Sequence, residues 1–203
     1  MAAKEEFERL IADVIVRLAQ FDDSIAHVKV ADTTYRFYRD TRFSPDKSPY
    51  KRHLGAYIAA HGKKALHGGY YLHLEPGHCL LATGSYWLPT NILTATRNEI
   101  MANRQQWNKC VRNKHFLDTF GVPGEHSFED EKGFGLEMLK TAPSGFPRDD
   151  EHILYLRMKD YCAWSAIPDD FFTQPHCLER MAEVFKTAKP MMDFINAVID
   201  DYE

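Results

Sequence analysis

Short segments of alternating polar and apolar side chains, separated by turn residues, constrain the fold of this chain more than any other feature. Five segments have the pattern of a β-strand, and they are residues 27–30, 34–39, 53–60, 69–75 and 79–88. Turn signals at Gly62, Gly68-Gly69 and Pro76-Gly77 separate the last three. Connections of this length join neighbouring antiparallel strands, so we expect the four segments between residues 34 and 88 to form a meander.

Apolar residues at helical spacing follow this region and also precede it. Helices are predicted over residues 5–20, 91–103, 107–120, 151–158 and 176–202, and a last strand over residues 161–167. Thr90 has the position of a helix N-cap, and Pro190 interrupts the apolar stripe of the final helix. The pattern predicts an α+β fold: a mostly antiparallel sheet (the four-strand meander plus a later strand) with helices packed on one face. No linker-like stretch divides the chain, so residues 1–203 are predicted to form a single α+β domain.

Positive charge is concentrated in residues 36–52, which we call the basic loop. This segment contains six basic and two acidic residues, a net charge of +4, whereas the whole chain has 25 basic and 29 acidic residues, a net charge of −4. Pro45 and Pro49 each fix a φ angle and lack an N–H donor, so most of the segment should be an ordered but irregular loop. A nucleic-acid-binding protein spreads positive charge over a face of a basic domain. One basic island in an acidic chain instead favours a site for a small anion, and nucleic acid is not the expected partner.

The basic loop has three interpretations. It could hold a phosphate- or carboxylate-bearing ligand, as part of a binding protein or an enzyme, or it could dock an acidic protein or nucleic-acid partner. Alternatively, its arginines form a structural clamp by pairing with Asp40, Asp46 and acidic groups elsewhere. Two carboxylates cannot neutralise six cations within the loop, which favours the ligand site. The candidate ligand-binding residues are Arg36, Arg39, Arg42, Lys47, Tyr50, Lys51 and His53.

The basic loop is also a sequence motif. Residues 36–50 read R-x-x-R-D-x-R-F-x-x-D-K-x-x-Y, which resembles the signature of a bacterial and fungal family catalogued as domain of unknown function 2461. The similarity continues through residues 69–77, 87–89, Arg97, 139–149 and 185–190, and so covers most of the chain. Members of that family usually begin with a further helical segment containing a Trp-Phe pair and a lysine, and this chain is expected to start at the helix after it. The resemblance implies a shared fold, and it brings no established activity.

Alternation along the predicted meander divides its side chains between two faces. The face predicted to be the core carries Tyr35, Phe37, Leu54, Ile58, Tyr70, Leu72, Leu74, Leu80 and Ala82. The opposite face should carry Arg36, Tyr38, His53, Tyr57, Tyr71, His73, Glu75, Ser85 and Trp87. An ordinary exposed sheet accommodates such residues well, and the alternative is the floor of a cleft beside the basic loop. In a cleft, His73 and Glu75, two residues apart on one strand, are the candidate catalytic acid–base pair.

Several other functions are not indicated. The glycine-rich loops of common nucleotide-binding proteins are absent, and no histidines or cysteines have zinc-finger spacing, so no cofactor and no metal site are predicted. A protein-built metal site would arise chiefly if His53, His73 and Glu75 converged. No apolar run is long enough to span a bilayer, so no membrane association is expected. The four scattered cysteines are typical of reduced thiols in a cytoplasmic protein.

Overall fold

Five strands form one antiparallel sheet in the computed structural model, which describes residues 2–38, 42 and 47–202 of the chain. The strands are β1 (Leu54–Ile58), β2 (Gly69–Leu74), β3 (Cys79–Ser85), β4 (Lys132–Phe134) and β5 (Tyr161–Ile167). Their order across the sheet is β1-β2-β3-β5-β4. The first three strands are a meander joined by short turns, and β5 returns from later in the chain to pair with β3 along its whole length.

The helices complete an α+β fold and confirm the predicted fold class. They are α1 (Ala2–Leu18), α2 (Val30–Thr33), α3 (Thr90–Ala102), α4 (Arg104–Val111), α5 (Lys114–Phe120), α6 (Ile153–Arg157) and α7 (Cys177–Asp200). The long helix α7 packs across β3, and α1, α3, α4 and α5 pack around α7. None of the described helices combines the length and the apolar character needed to cross a bilayer.

The main core lies between α7 and one face of the sheet. Trp107 of α4 is fully buried there, and its ring contacts those of Tyr155, Tyr161 and Phe194 at centroid distances of 5.5, 5.7 and 5.1 Å. On the other side of α7, apolar residues of α1 pack with Tyr70 and Leu72 of β2. Burial of this apolar surface against a single sheet face is the main source of stability, because free energy scales with the area removed from water.

The first two predicted strands are wrong. Residues 30–33 form the short helix α2, in which the Thr33 hydroxyl donates to the Val30 carbonyl at 2.8 Å. After it, Thr34 makes only an isolated bridge with Ala56, and Tyr38 makes another with Tyr50. Residues 34–38 therefore contact β1 at their start and Tyr50 at their end without forming a continuous ladder, so the meander has three strands instead of four.

The predicted orientation of β3 is also wrong. Leu72 is registered with Leu81, so Leu81 and Thr83 face α7. Leu80 and Ala82 lie on the opposite face with Tyr71, and Ser85 is buried instead of displayed there. Every residue of β3 is buried, because the sheet is covered on both faces at its centre. A strand of this kind gives no alternation from which its orientation could be predicted.

The second half of the chain departs from prediction in three places. The helix predicted over 107–120 is divided into α4 and α5, because the Asn113 side chain caps a new helix by accepting from the Phe116 N–H at 3.0 Å. Thr90 is the first residue of α3 and follows the N-cap Pro89, so it is not a cap itself. The three-residue edge strand β4 was not predicted, since it contains only one apolar side chain, Phe134.

A buried histidine joins α4 to the start of α6. His152 is fully buried, and its Nε2–H donates to the Asn108 Oδ1 at 2.9 Å. Burial lowers the pKa of this imidazole below its ordinary value, and the charge of Arg112 adds to the effect. The charge of Arg104 also lowers this pKa, whereas the carboxylates of Glu151 and Asp150 raise it.

We expect His152 to make the stability of the protein fall in mild acid. Its folded-state pKa is lower than its unfolded-state value of about 6.5, so the unfolded chain binds the extra proton first. The stabilising contribution is thus complete above about pH 6.5 and is lost as the pH falls toward the folded-state pKa. Urea unfolding at pH 7.5, 6.5 and 5.5 should show a steeper decline in the free energy of unfolding for the parent than for His152→Gln. Parallel declines in the two proteins would contradict this role.

Candidate functional site

The sheet face opposite α7 borders a cleft of about 640 Å³. It lies over β1, β2 and β3 and is closed at one side by residues 63–67, which connect β1 to β2. Its lining includes Tyr35, Lys51, His53, Tyr57, Lys63, Lys64, Tyr71, Tyr86, Trp87 and Phe128. Small-molecule sites typically have volumes of roughly 300–1,000 Å³.

The charged groups at the cleft wall are cations. Lys51 enters from the end of the basic loop, and Lys63 and Lys64 enter from the β1–β2 connection. Among the described residues that line the cleft, none is an aspartate or a glutamate. Lys63 is held in place because its Nζ donates to the Thr34 carbonyl at 2.7 Å and lies 5.6 Å from the centre of the Tyr35 ring. The cleft is therefore a positively charged concavity on an acidic protein.

Tyrosines form the floor of the cleft. The Tyr57 hydroxyl donates to the His67 carbonyl at 2.9 Å, and burial raises the pKa of this phenol well above its ordinary value. Burial likewise raises the pKa of Tyr71 to about 12. Both phenols therefore stay protonated at neutral pH, and they present rigid aromatic surface with fixed hydroxyl groups.

A row of hydrogen bonds extends from Tyr71 along β2. The Tyr71 hydroxyl donates to His73 Nδ1 at 2.9 Å, and His73 Nε2 donates to Glu75 Oε2 at 3.2 Å. This bond from His73 lowers the pKa of the Glu75 carboxyl, which keeps the carboxylate ionised. The candidate pair His73 and Glu75 is thus in direct contact, and Tyr71 is the member of the row that lines the cleft.

His53 lies next to this row. Its ring centroid is 4.6 Å from that of His73. Burial lowers the pKa of His53, and the neighbouring His73 and Lys51 lower it further. The imidazole is therefore neutral at physiological pH, with a lone pair available to a proton or a metal ion.

The other predicted ligand-binding residues are placed differently. Arg36 and Tyr50 are exposed and do not line the cleft, and Tyr50 packs against Tyr38 with ring centroids 5.3 Å apart. Arg42 and Lys47 are also exposed. Arg39 lies outside the described residues. Within the described chain, the basic loop thus contributes Lys51 to the cleft, and His53 follows directly after the loop.

Sequence reasoning did not identify Lys63, Lys64 and Tyr86 as site residues. Their signal was weak, because two lysines after Gly62 are also typical of a solvated turn. The fold brings this turn over the sheet face, where it contacts Tyr35 through Lys63. Only the tertiary structure shows that the two separate basic segments meet at one concave surface.

Comparison with known proteins gives a family and no activity. No curated protein and no solved structure matches the chain. A family model described as "Conserved hypothetical protein (DUF2461)" matches residues 1–194, nearly the whole chain. The match confirms the resemblance that the basic-loop motif indicated, and the protein therefore belongs to the DUF2461 family.

Proposed function

We propose that the cleft binds a small molecule in which a phosphate or carboxylate group is attached to an aromatic or apolar part. The observation that carries the proposal is the charge of the wall, where Lys51, Lys63 and Lys64 face a common space that none of the described lining residues neutralises with a carboxylate. An empty cleft of like charges is destabilised by mutual repulsion, and a bound anion relieves that repulsion.

Lysine suits this role because its ammonium group is a mobile point charge that binds phosphate or carboxylate without a fixed approach geometry. In the described part of the chain, Lys51 and Lys64 form no ion pair with an acidic residue. Within that part of the chain, no carboxylate competes with a ligand for these two charges. Lys63 is anchored to the Thr34 carbonyl, so it defines one fixed edge of the anion position.

Aromatic side chains at the rim of the cleft are the reason to expect an aromatic or apolar part in the ligand. Tyr86 and Trp87 are adjacent, and they are 65% and 76% exposed. Large aromatic side chains so exposed beside a concave surface are typical of binding sites, because a ligand that covers them removes apolar area from water. A planar ring could stack on either of them or on the tyrosines of the floor.

An enzymatic version of the proposal places proton transfer at Tyr71. Its hydroxyl reaches the cleft, and His73 and Glu75 lie behind it in one hydrogen-bonded row. The Tyr71 oxygen would accept a proton from a bound substrate as its own proton passes to His73 Nδ1, and the Glu75 carboxylate would stabilise the imidazolium that forms. This arrangement is the reason to keep His73 and Glu75 as the candidate acid–base pair.

The shape of the charged region favours a small ligand over a macromolecule. A docking surface for an acidic protein or a nucleic acid presents its cations on a projecting or flat face, whereas these lysines line a concavity. We further propose a cytoplasmic ligand, since the scattered spacing of the four cysteines is typical of cytoplasmic proteins.

The proposal predicts that removing two lysines abolishes anion binding without loss of stability. Inorganic phosphate, benzoate and phenyl phosphate are the probes, and isothermal titration calorimetry measures their affinity. Phenyl phosphate should bind more tightly than inorganic phosphate, because it also covers aromatic surface. The double variant Lys51→Met/Lys64→Met should weaken its affinity by about tenfold or more, which corresponds to about 1.4 kcal/mol. Its melting temperature without ligand should equal or slightly exceed that of the parent, because repulsion is relieved.

Lys140→Met is the matched control, since Lys140 is an exposed lysine that does not line the cleft. It should bind all three probes as the parent does. Titrations are made at constant ionic strength, because phosphate also stabilises proteins through exclusion from their surface. Equal affinity in the parent and the double variant, or no binding by the parent, would contradict the proposal and leave the lysines as solvated surface groups.

A further inference from the structure

We propose that His53, His73 and Glu75 form a binding site for a divalent transition-metal ion, with Zn²⁺ as the representative, at the edge of the cleft. Each of the three residues offers a ligand atom, and these atoms all lie within 4.8 Å of one another. The inference does not depend on anion binding by the lysines, because the metal ion alone is the probe.

The sheet register explains why the three side chains converge. His73 is paired with Gly55, and Leu54 with Leu74, so the position opposite Glu75 is that of His53. Side chains two residues apart on a strand share a face, which places all three groups on the cleft side of the sheet. Gly55, directly opposite His73, has no side chain, and a Cβ atom there would lie 3.0 Å from the Tyr71 hydroxyl.

The ligand set has a recognised coordination chemistry. Two imidazoles and one carboxylate bind Zn²⁺ in catalytic sites, and the same set binds other divalent transition metals with positions left open. The carboxylate supplies one negative charge, and neutral imidazoles supply two nitrogen lone pairs. All three residues are partly exposed, so an ion has access from solvent.

Tyr71 would position one of the ligands. Its hydroxyl lies 2.9 Å from His73 Nδ1, which leaves Nε2 directed at Glu75. With a metal ion on Nε2, the imidazole carries its proton on Nδ1 and donates it to the Tyr71 oxygen. Histidine ligands are commonly oriented by such a bond from their second nitrogen. Tyr71 is therefore a positioning residue.

A second cluster, formed by His61, His67 and Asp200, lacks suitable geometry. The rings of His61 and His67 are stacked face to face, with centroids 3.9 Å apart and planes only 8° from parallel. An ion binds in the plane of each imidazole at about 2.0–2.1 Å from nitrogen, and two stacked parallel planes do not meet at such a point. The rings of His53 and His73 are also stacked, but their centroids are 4.6 Å apart and their planes are inclined by 29°, so they are farther from the face-to-face arrangement of His61 and His67.

The test is metal titration of the full chain after treatment with a chelator and dialysis. Zn²⁺ binding is measured by calorimetry, and Co²⁺ binding by its visible absorption bands. We expect one ion per chain at about micromolar affinity. His53→Ala and Glu75→Gln should each weaken binding by about 100-fold, and Tyr71→Phe by about 10- to 100-fold with a changed Co²⁺ spectrum. His61→Ala is the matched control and should bind as the parent does.

Lys51→Met separates this inference from the proposed function. Lys51 lies two residues from His53 and lines the same cleft, so its charge opposes a bound cation. Its removal should tighten metal binding while it weakens anion binding. Circular dichroism of each variant confirms that it is folded. The site is tested by changing His53, which is partly exposed, and His73 is left in place. The inference is overturned if the parent binds no ion, if His53→Ala and Glu75→Gln bind as the parent does, or if His61→Ala removes the binding.

Discussion

Replacing Gly84 with alanine should lower the free energy of unfolding by about 4 kcal/mol, a loss that is exceptional for a single methyl group. Gly84 lies in β3 with φ at +94°, a conformation that costs an L-residue roughly 1–2 kcal/mol. A Cβ atom here would also lie 2.1 Å from the Tyr161 carbonyl oxygen on the neighbouring strand β5. That neighbour is a backbone atom at the start of β5, which is paired with β3, so it cannot move without disturbing the β3–β5 ladder. Urea unfolding followed by circular dichroism measures the loss.

Gly62→Ala is the matched control for this change. Gly62 also has a positive φ, at +80°, but a Cβ atom there would meet nothing within 4 Å. The control should therefore lose only the conformational term, about 1–2 kcal/mol. The difference between the two losses in free energy of unfolding measures the cost of placing a methyl group against the Tyr161 carbonyl of β5. Equal losses would show that the sheet relaxes around residue 84. Since Gly84 also lines the cleft, a folded Gly84→Ala protein should bind phenyl phosphate less tightly.

The meander could be predicted from sequence because its strands have local signals. β1 and β2 alternate, and the turns at Gly62 and Pro76-Gly77 fix where they begin and end. β3 could be located but not oriented, because all seven of its residues are buried. Tyr161–Ile167 was predicted as a strand with the bounds that the structure shows. Its partners β3 and β4 are determined by contacts distant in sequence, which a local pattern does not contain.

Part of the candidate site could be predicted for the same reason. His73 and Glu75 were identified because residues two apart on a strand share a face, and the structure confirms that they are in contact. Their chemical role remains a prediction. The sequence left the cleft as an alternative to an ordinary exposed sheet, and it did not assign Lys63 and Lys64 to it, because the path of the β1–β2 connection depends on the packing of the whole sheet. A sequence motif shows which residues are near one another along the chain, whereas the shape of a cavity depends on how distant segments of the backbone pack together.

The second large effect concerns Gly133 and Trp164, which are paired across β4 and β5. Trp164 is fully buried on the cleft side of the sheet, against Phe128 at a ring distance of 4.9 Å. A Cβ atom at Gly133 would lie 2.2 Å from the fully buried Trp164 ring. Gly133→Ala should therefore cost about 3 kcal/mol by overpacking. Trp164→Ala should cost about 3–5 kcal/mol through the cavity that it leaves.

The double variant Gly133→Ala/Trp164→Ala should be no less stable than Trp164→Ala alone. Without the indole ring, the new methyl group meets no clash and fills part of the cavity, and alanine is favoured over glycine in a strand by about 0.5–1 kcal/mol. The double-mutant cycle, measured by urea unfolding, should thus give a coupling free energy of about 3 kcal/mol between the two positions. Additive losses would mean that the Trp164 ring does not rest on Gly133. A large coupling would establish that glycine is required at residue 133 by the aromatic ring of Trp164.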